Sequence, residues 1–160
     1  MPIDELIIIS GPVGAGKTSV LNKWTDGRNV KGILTPVIEG KRMFQDIAGE
    51  ELFPMEASEG EETLSIGKYN FSVLQFQKAI ALVNTAIDAS DTEWILIDEI
   101  GPLELEGKGF SETLVRIIQS NRKIKLLIVV RAGLLQQVVD TFRIRHYQLF
   151  NVPPRPGAGL

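Results

Sequence analysis

The chain has 160 residues, a formal net charge of −3, no cysteine and a single histidine, His146. The length suits one domain, and the acidic balance argues against a general nucleic-acid-binding protein. Disulfides, thiolate zinc sites and multi-histidine metal sites are excluded, so a bound metal needs oxygen ligands, which Mg²⁺ prefers.

The start of the chain carries no targeting signal that we recognise. Its first residues are acidic rather than basic, and the apolar run at residues 6–9 is too short for a signal peptide or a membrane span. We therefore expect a cytoplasmic protein with neither a membrane nor a nucleic acid as partner.

Buried strands and helices are predicted to alternate along most of the chain. Three continuous apolar runs predict strands buried on both faces, at residues 6–9, 94–97 and 126–130, and a last strand is predicted at residues 147–150. Helices are predicted at residues 17–24, 72–87, 110 onward and 134–139. This alternation is typical of an α/β fold with a mainly parallel sheet.

The helix after Ser72 has the clearest pattern. Ser72 and Gln75 fit a capping box, and an apolar stripe at spacings of three and four follows them. We interpret the stripe as a core-facing surface. For the helix near residue 110, Ser111 is the predicted N-cap and Phe110 is predicted to contact Val115 as a hydrophobic staple. The stripe consists of Val73, Phe76, Ile80, Val83 and Ile87.

Residues 31–48 interrupt the alternation. Gly40 separates two strand-like runs, of which the first contains Ile33 and the second contains Phe44. This pattern predicts a β-hairpin inserted after the first helix.

The rest of the chain carries weaker signals. Residues 50–68 are acidic, with short strands predicted near Leu52 and Leu64. We expect one domain over residues 1–151 and a flexible tail, rich in Pro and Gly, over residues 152–160.

A glycine-rich segment after the first strand matches the pattern G-x-x-x-x-G-K-[ST] in full. Its glycines let backbone N–H groups curl around phosphates at the N-terminus of the next helix. Lys17 brings positive charge to the β- and γ-phosphates and is a predicted catalytic residue, whereas Thr18 is a predicted Mg²⁺ ligand. The other interpretation is a glycine-rich turn with an incidental lysine. The predicted phosphate-binding residues are Gly11, Pro12, Val13, Gly14, Ala15, Gly16, Lys17, Thr18 and the neighbouring hydroxyl residue Ser19.

An acidic pair, Asp98 and Glu99, ends the strand at residues 94–97. The carboxyl ends of parallel strands open onto the ligand crevice. Asp98 is predicted to hold Mg²⁺ through water, and Glu99 to polarise the water that attacks the γ-phosphate. The alternative is that both residues are charges at the entry of a loop.

The order of the acidic pair also predicts a subclass of fold. A glutamate directly after the Mg²⁺ aspartate is typical of RecA-like P-loop enzymes, in which an extra strand separates the two motif strands. We therefore predict a P-loop NTPase three-layer sandwich with a mainly parallel sheet of this type and an inserted hairpin.

Three further charged residues are weaker candidates. Arg131 closes the third buried strand and is placed to sense the γ-phosphate, with a solvated strand-end charge as the alternative. Glu104 is a candidate for the rim of the site, with a surface charge as the alternative. Arg42, near the hairpin tip, either contacts the nucleotide or discourages pairing at a sheet edge.

Four segments together resemble the thermophilic-type nucleoside-triphosphatase family, small RecA-like enzymes that are also described as nucleotide kinases. They are residues 11–18, residues 32–36 with the hairpin that follows, residues 66–69 and residues 97–105. The last, Ile-Asp-Glu-Ile-Gly-Pro-Leu-Glu-Leu, is the most specific, because generic P-loop enzymes do not continue in this way. The resemblance implies Mg²⁺-dependent hydrolysis of ATP, GTP and other nucleoside triphosphates.

The chain departs from that family in two places. Position 102 is Pro, where the family often has Lys. Asn151 and Arg155 match its usual Asn-Arg ending only loosely, which leaves the residues that contact the base undetermined.

Nucleoside-triphosphate hydrolysis is the leading hypothesis for the activity. A kinase that transfers the γ-phosphate to a small acceptor uses the same loop, but the sequence has no Arg-rich lid insertion. A nucleotide-binding switch or accessory module does not need Glu99 to activate water. Phosphate release without an acceptor favours the hydrolase, and transfer only with an acceptor favours the kinase. The oligomeric state stays open.

Overall fold

The computed structural model describes residues 5–11, 17–120 and 123–152, and for residues 17–19 it describes the backbone alone. None of the helices in these ranges has the length and apolar character needed to cross a lipid bilayer. The strands are β1 Glu5–Gly11, β2 Val30–Leu34, β3 Val37–Ile38, β4 Lys41–Asp46, β5 Leu52–Pro54, β6 Thr63–Ile66, β7 Tyr69–Ser72, β8 Trp94–Ile100, β9 Lys125–Arg131 and β10 Gln148–Asn151. The α-helices are α1 Lys17–Thr25, α2 Val73–Asp88, α3 Pro102–Leu105, α4 Ser111–Ile118 and α5 Leu135–Thr141.

The main sheet has the strand order β10–β1–β9–β8–β2–β4–β3, with β5 added to β4. The five strands from β10 to β2 run parallel to one another. By contrast, β4 runs antiparallel to β2, β3 and β5. Strands β6 and β7 form a separate antiparallel hairpin. The prediction of an α/β fold with a mainly parallel sheet is therefore confirmed.

Apolar side chains cover both faces of β1, β8 and β9, which explains why these segments are continuous apolar runs, whereas β10 is an exposed edge strand. On one face, Ile8 and Ile97 pack in a cluster with side chains of α2, α4 and α5. On the other face, Ile9 and Leu96 pack in a cluster with Leu21 of α1. Burial on both faces therefore fixes the positions of the central strands, whose carboxyl ends lie at one edge of the sheet.

Helix α2 packs as the sequence predicts, but only half of the predicted capping box forms, because the Ser72 N–H donates to a backbone carbonyl oxygen of another segment. The Ser72 hydroxyl oxygen accepts a hydrogen bond from the Gln75 N–H at 3.1 Å. The same hydroxyl donates to Glu61 at 2.7 Å, so an earlier part of the chain is tied to the helix start. Of the predicted stripe, Phe76 and Val83 are among the buried residues of the helix. The stripe is therefore part of the core.

Residues 31–48 do not form a single hairpin, which corrects the sequence prediction. The first strand-like run is β2, which pairs in parallel with β8 in the main sheet. Only β3 and β4 form a hairpin, and its turn has left-handed backbone at Glu39 and Gly40, with φ of 52° and 78°. The physical reason is burial, because Ile33 of β2 is fully enclosed in the core.

The start of helix α4 also differs from the prediction. Phe110, not Ser111, occupies the N-cap position, and no side chain caps the helix there. The Phe110 ring centroid lies 5.8 Å from that of Phe76 and 6.5 Å from that of Phe44. Val115 is exposed, so the predicted staple is wrong. Packing between aromatic rings from distant segments positions Phe110 instead.

Candidate active site

The carboxyl ends of β1, β9 and β8 bring the two predicted motifs to one edge of the sheet. Strand β9 lies between β1 and β8. Gly11 pairs with Arg131, and Asp98 pairs with Val129, two residues before Arg131. Residues two apart in a strand share a face. The first residue of the phosphate loop, Arg131 and the acidic pair are therefore neighbours.

The start of the phosphate loop packs closely against the C-terminal segment. A Cβ atom on Gly11 would lie 2.6 Å from the carbonyl oxygen of Val152, so this position requires glycine. The Val152 N–H donates a hydrogen bond to the Ser10 carbonyl oxygen at 2.7 Å. Val152, the first residue of the predicted flexible tail, is therefore anchored beside the loop.

Much of the predicted phosphate site lies outside the described residues. The backbone of Lys17 begins α1, so a helix follows the loop as predicted. The N–H groups at the N-terminus of a helix attract anions. The residues that lie outside are Pro12, Val13, Gly14, Ala15 and Gly16, together with the side chains of Lys17, Thr18 and Ser19.

Asp98 is a buried carboxylate at the end of β8, with 5% of its surface exposed. Its Oδ2 accepts a hydrogen bond from the Thr35 N–H at 3.2 Å. Burial raises the pKa of Asp98 to about 6, and the charge of Glu99 adds to the rise. Sequence reasoning assigned no role to Thr35, although residues 32–36 are one of the four segments that carry the family resemblance.

The chemistry of Asp98 fits Mg²⁺. In phosphate-transfer sites one or two carboxylates suffice, because phosphate oxygens and water complete the coordination of this ion. Within the described ranges, no group of three or more His, Cys, Asp or Glu side chains could hold a metal on its own. Asp98 therefore fits an ion that is shared with the predicted ligand Thr18 and with a bound nucleotide.

Glu99 occupies a β-bulge in β8. Asp98 pairs with Val129 and Ile100 pairs with Val130, so Glu99 is the extra residue between two consecutive pairs. Bulges are common beside active sites, where they redirect a side chain. The Glu99 side chain is 20% exposed. Of the two acidic residues, Glu99 is thus the one that water reaches more readily.

Arg131 forms an ion pair that the sequence did not reveal. Its Nη2 lies 3.7 Å from Oε1 of Glu99, and its side chain is 46% exposed. Exposed ion pairs contribute little free energy. The ion pair places the guanidinium group near Glu99, and the strand register places Arg131 next to Gly11. Because the pair is weak, the side chain can still turn toward another anion.

Glu104 is buried, so its interpretation as a surface charge is wrong. It lies in α3, a short helix that the sequence analysis did not predict, and only 3% of its surface is exposed. Its carboxylate accepts hydrogen bonds from the N–H groups of Gly101 at 2.8 Å and Phe110 at 3.0 Å. Burial raises the pKa of Glu104 to about 7 despite these bonds. Glu104 therefore joins the two ends of the loop at residues 101–110 through these hydrogen bonds.

Arg42 lies in β4, on the side of β8 that faces away from β1 in the strand order. Its charge opposes the effect of burial and lowers the pKa of Asp98. The alternative that Arg42 discourages edge pairing is wrong, because β4 already pairs with β2, β3 and β5. Arg42 instead lines a cleft together with residues of β5, of the segment after it and of the β6–β7 hairpin.

Relatives of known sequence identify the family of the chain. The NTPase family matches residues 6–155. The nucleoside-triphosphatase THEP1 of Methanothermobacter thermautotrophicus is 32% identical over 150 residues, which cover 87% of this chain and 83% of that protein. The nucleoside-triphosphatase THEP1 of Methanosarcina barkeri is 27% identical over 165 aligned positions, which cover 96% of this chain and 91% of that protein.

Two solved structures share the fold. The crystal structure of THEP1 from the hyperthermophile Aquifex aeolicus matches with a TM-score of 0.73 and 23% identity, over 93% of this chain and 90% of that chain. The solution structure of a human cancer-related nucleoside triphosphatase matches with a TM-score of 0.64 and 19% identity, over 92% of this chain and 88% of that chain. The family resemblance inferred from the four sequence segments is confirmed, and the chain belongs to the NTPase family.

Proposed function

We propose that the protein hydrolyses nucleoside triphosphates to nucleoside diphosphate and phosphate at the edge formed by β1, β9 and β8, with Mg²⁺ as its cofactor. Membership of the NTPase family supports the hydrolytic reaction. The observation that carries the site is the strand register, in which Gly11 pairs with Arg131 beside Asp98 and Glu99. ATP and GTP are the proposed substrates.

The phosphates bind in the loop at residues 11–18. Backbone N–H groups and the Lys17 ammonium group neutralise their charge there. Thr18 directly, and Asp98 through water, would hold Mg²⁺, which would supply positive charge to the phosphate oxygens. The hydrogen bond from the Thr35 N–H fixes the orientation of the Asp98 carboxylate.

Glu99 takes the proton from the attacking water. The water oxygen forms a bond to the γ-phosphorus, and the bond between that phosphorus and the bridging oxygen breaks. The nucleoside diphosphate leaves with the electron pair, and the proton goes to a carboxylate oxygen of Glu99. Arg131, whose Nη2 lies 3.7 Å from that carboxylate, stabilises the negative charge on the γ-phosphate oxygens.

The proposal includes the finer fold class. Strand β9 lies between the two motif strands, and a glutamate follows the Mg²⁺ aspartate, which are the features expected of the RecA-like group. The β3–β4 hairpin follows β2, so the insertion begins one strand later than expected. These features support a RecA-like P-loop domain that extends to about residue 151.

Phosphate release from ATP and GTP tests this function. With purified protein, Mg²⁺ and no acceptor, we expect release that stops when Mg²⁺ is chelated. Lys17→Ala should weaken triphosphate binding, and an unaltered affinity in this variant would contradict the role of the loop. Phosphate transfer that occurs only after a nucleotide or another small acceptor is added would favour a kinase instead.

A further inference from the structure

A cleft of about 460 Å³ lies beyond β2, where the β4–β5 strands approach the β6–β7 hairpin. Three cationic side chains line it, Lys41, Arg42 and Lys68, together with a single carboxylate, that of Glu56. The whole chain carries a net charge of −3. The cleft is therefore locally positive, although the net charge of the protein is negative.

The cations of the cleft outnumber its one carboxylate and form no close ion pair with it. Among the residues that the structure describes, the ion pairs involve other side chains, and neither Lys41, Arg42 nor Lys68 takes part in one. The Lys68 ammonium group lies 5.5 Å from the centre of the Tyr69 ring, a cation–π contact that adds no negative charge to the cleft. An excess of positive charge on a concave surface attracts anions.

Backbone hydrogen bonds fix the walls of the cleft. The Met55 N–H donates to the Arg42 carbonyl oxygen at 3.3 Å, and the Ala57 N–H donates to the Asn70 carbonyl oxygen at 2.9 Å. Glu56 forms an antiparallel bridge with Phe71 between these two bonds. The segment between β5 and β6 is therefore hydrogen-bonded to both β4 and β7. These bonds define the shape of the cleft.

Arg42 connects the cleft to the acidic pair. It lines the cleft, and its charge acts on the carboxylate of Asp98. The next residue, Met43, donates its N–H to the Pro36 carbonyl oxygen at 2.9 Å, directly after Thr35, which bonds to Asp98. In the strand order the phosphate loop follows β1, whereas the cleft lies beyond β2. The loop and the cleft consequently flank Asp98 on opposite sides.

We propose that this cleft binds a second phosphate-bearing small molecule, on the side of the acidic pair opposite to the triphosphate. Arginine and lysine side chains form charge-assisted hydrogen bonds to phosphate oxygens. Ser58 and Asn70, which also line the cleft, add polar groups that orient such a ligand. The position relative to the triphosphate rests on the proposed function, but the binding itself does not.

Chemical-shift titrations of the backbone amides test this site, with inorganic phosphate and AMP as probes. The protein is first saturated with ADP and Mg²⁺, so that the phosphate loop is occupied. We expect saturable shifts at Arg42 and Asn70, and an affinity about tenfold weaker in Lys41→Gln and in Lys68→Gln. Tighter binding of AMP indicates a phosphate ester as the ligand, and equal binding indicates free phosphate; both results support the site.

The matched control is Lys123→Gln, which makes the same charge change at the opposite, amino-terminal end of β9. It should leave the affinity for both probes unchanged. No saturable shift at Arg42 or Asn70, or equal weakening in Lys123→Gln, would overturn the proposal. Loss of phosphate release in the hydrolysis assay together with intact binding here would reject the proposed function and leave the cleft in place.

Discussion

The end of β8 and the loop that follows it each contain a buried carboxylate, and the two carboxylates are bonded differently. Burial raises the pKa of Asp98 to about 6 and that of Glu104 to about 7. Both oxygens of Glu104 accept hydrogen bonds from backbone N–H groups of its own loop. Among the described residues, Asp98 is bonded to Thr35 alone.

This difference separates a structural carboxylate from one that remains available to a ligand. A buried charge is tolerated when hydrogen bonds satisfy it, and removing it then leaves its partners unpaired. A buried charge with spare hydrogen-bonding capacity at the edge of the sheet is suited to a cation. Substitution of Glu104 should therefore affect stability first, and substitution of Asp98 should affect activity first.

The largest expected effect is that of Asp98→Asn on hydrolysis. The substitution removes the charge but keeps an oxygen that accepts the Thr35 N–H. We expect phosphate release at saturating ATP and Mg²⁺ to fall about 100-fold or more. The melting temperature should change little, because no buried group loses its partner. Release within a few-fold of wild type would remove Asp98 from the site.

Glu104→Ala should act mainly on the free energy of unfolding. It leaves the N–H groups of Gly101 and Phe110 without an acceptor, and we expect a loss of about 2–4 kcal/mol in urea denaturation. Glu106→Ala removes an exposed carboxylate from the same loop and serves as the control, with an expected change below about 0.5 kcal/mol. Similar losses in both variants would show that the hydrogen bonds of Glu104 do not stabilise the loop.

Two glycines in the loop at residues 101–110 provide a matched test of the Glu104 position, with a smaller expected loss of stability. Gly107 and Gly109 both have positive φ, 78° and 58°, so alanine is strained at either position. Only at Gly109 would a Cβ collide with Glu104, at 2.1 Å from its Oε2, whereas nothing lies within 4 Å at Gly107. We expect Gly109→Ala to cost about 1–2 kcal/mol more than Gly107→Ala in urea denaturation. Equal costs would mean that the carboxylate moves aside freely.

The smallest expected effect is on the pH dependence of stability. The pKa of Glu104 is about 7 in the folded protein and 4.5 in its unperturbed state, so the folded state binds the proton more tightly. This contribution to stability is complete below about pH 4.5 and is lost as the pH rises through about 7. Without metal, wild type should lose on the order of 1 kcal/mol more than Glu104→Gln between pH 5 and pH 7. Urea denaturation at both values measures this difference, and equal losses would contradict a raised pKa.

The parallel half of the sheet and the two motifs are predictable from the sequence because their signals are local. Burial on both faces requires a continuous apolar run, such as that at residues 126–130. The phosphate loop at residues 11–18 is a contiguous pattern, and the acidic pair directly follows a strand. Each of these features is determined by a few consecutive residues.

The partners of the site residues are not predictable in this way, because they come from distant strands. Thr35 lies 63 positions from Asp98, to which it donates its N–H. The contact between Arg131 and Glu99 depends on the register of β9 against β8. The position of Phe110 at the start of α4 depends on aromatic rings of other segments. Tertiary packing, which no local pattern encodes, decides these features.

Single-turnover phosphate release by Glu99→Gln is the most direct measurement of the central claim, that the bulged carboxylate activates the attacking water. ATP affinity should remain that of wild type, while release slows about 100- to 10,000-fold. Glu93→Gln makes the same change just before β8, in an exposed side chain 3.7 Å from Lys125, and should leave both quantities unchanged. Release at the wild-type rate by Glu99→Gln, with ATP bound, would contradict the mechanism.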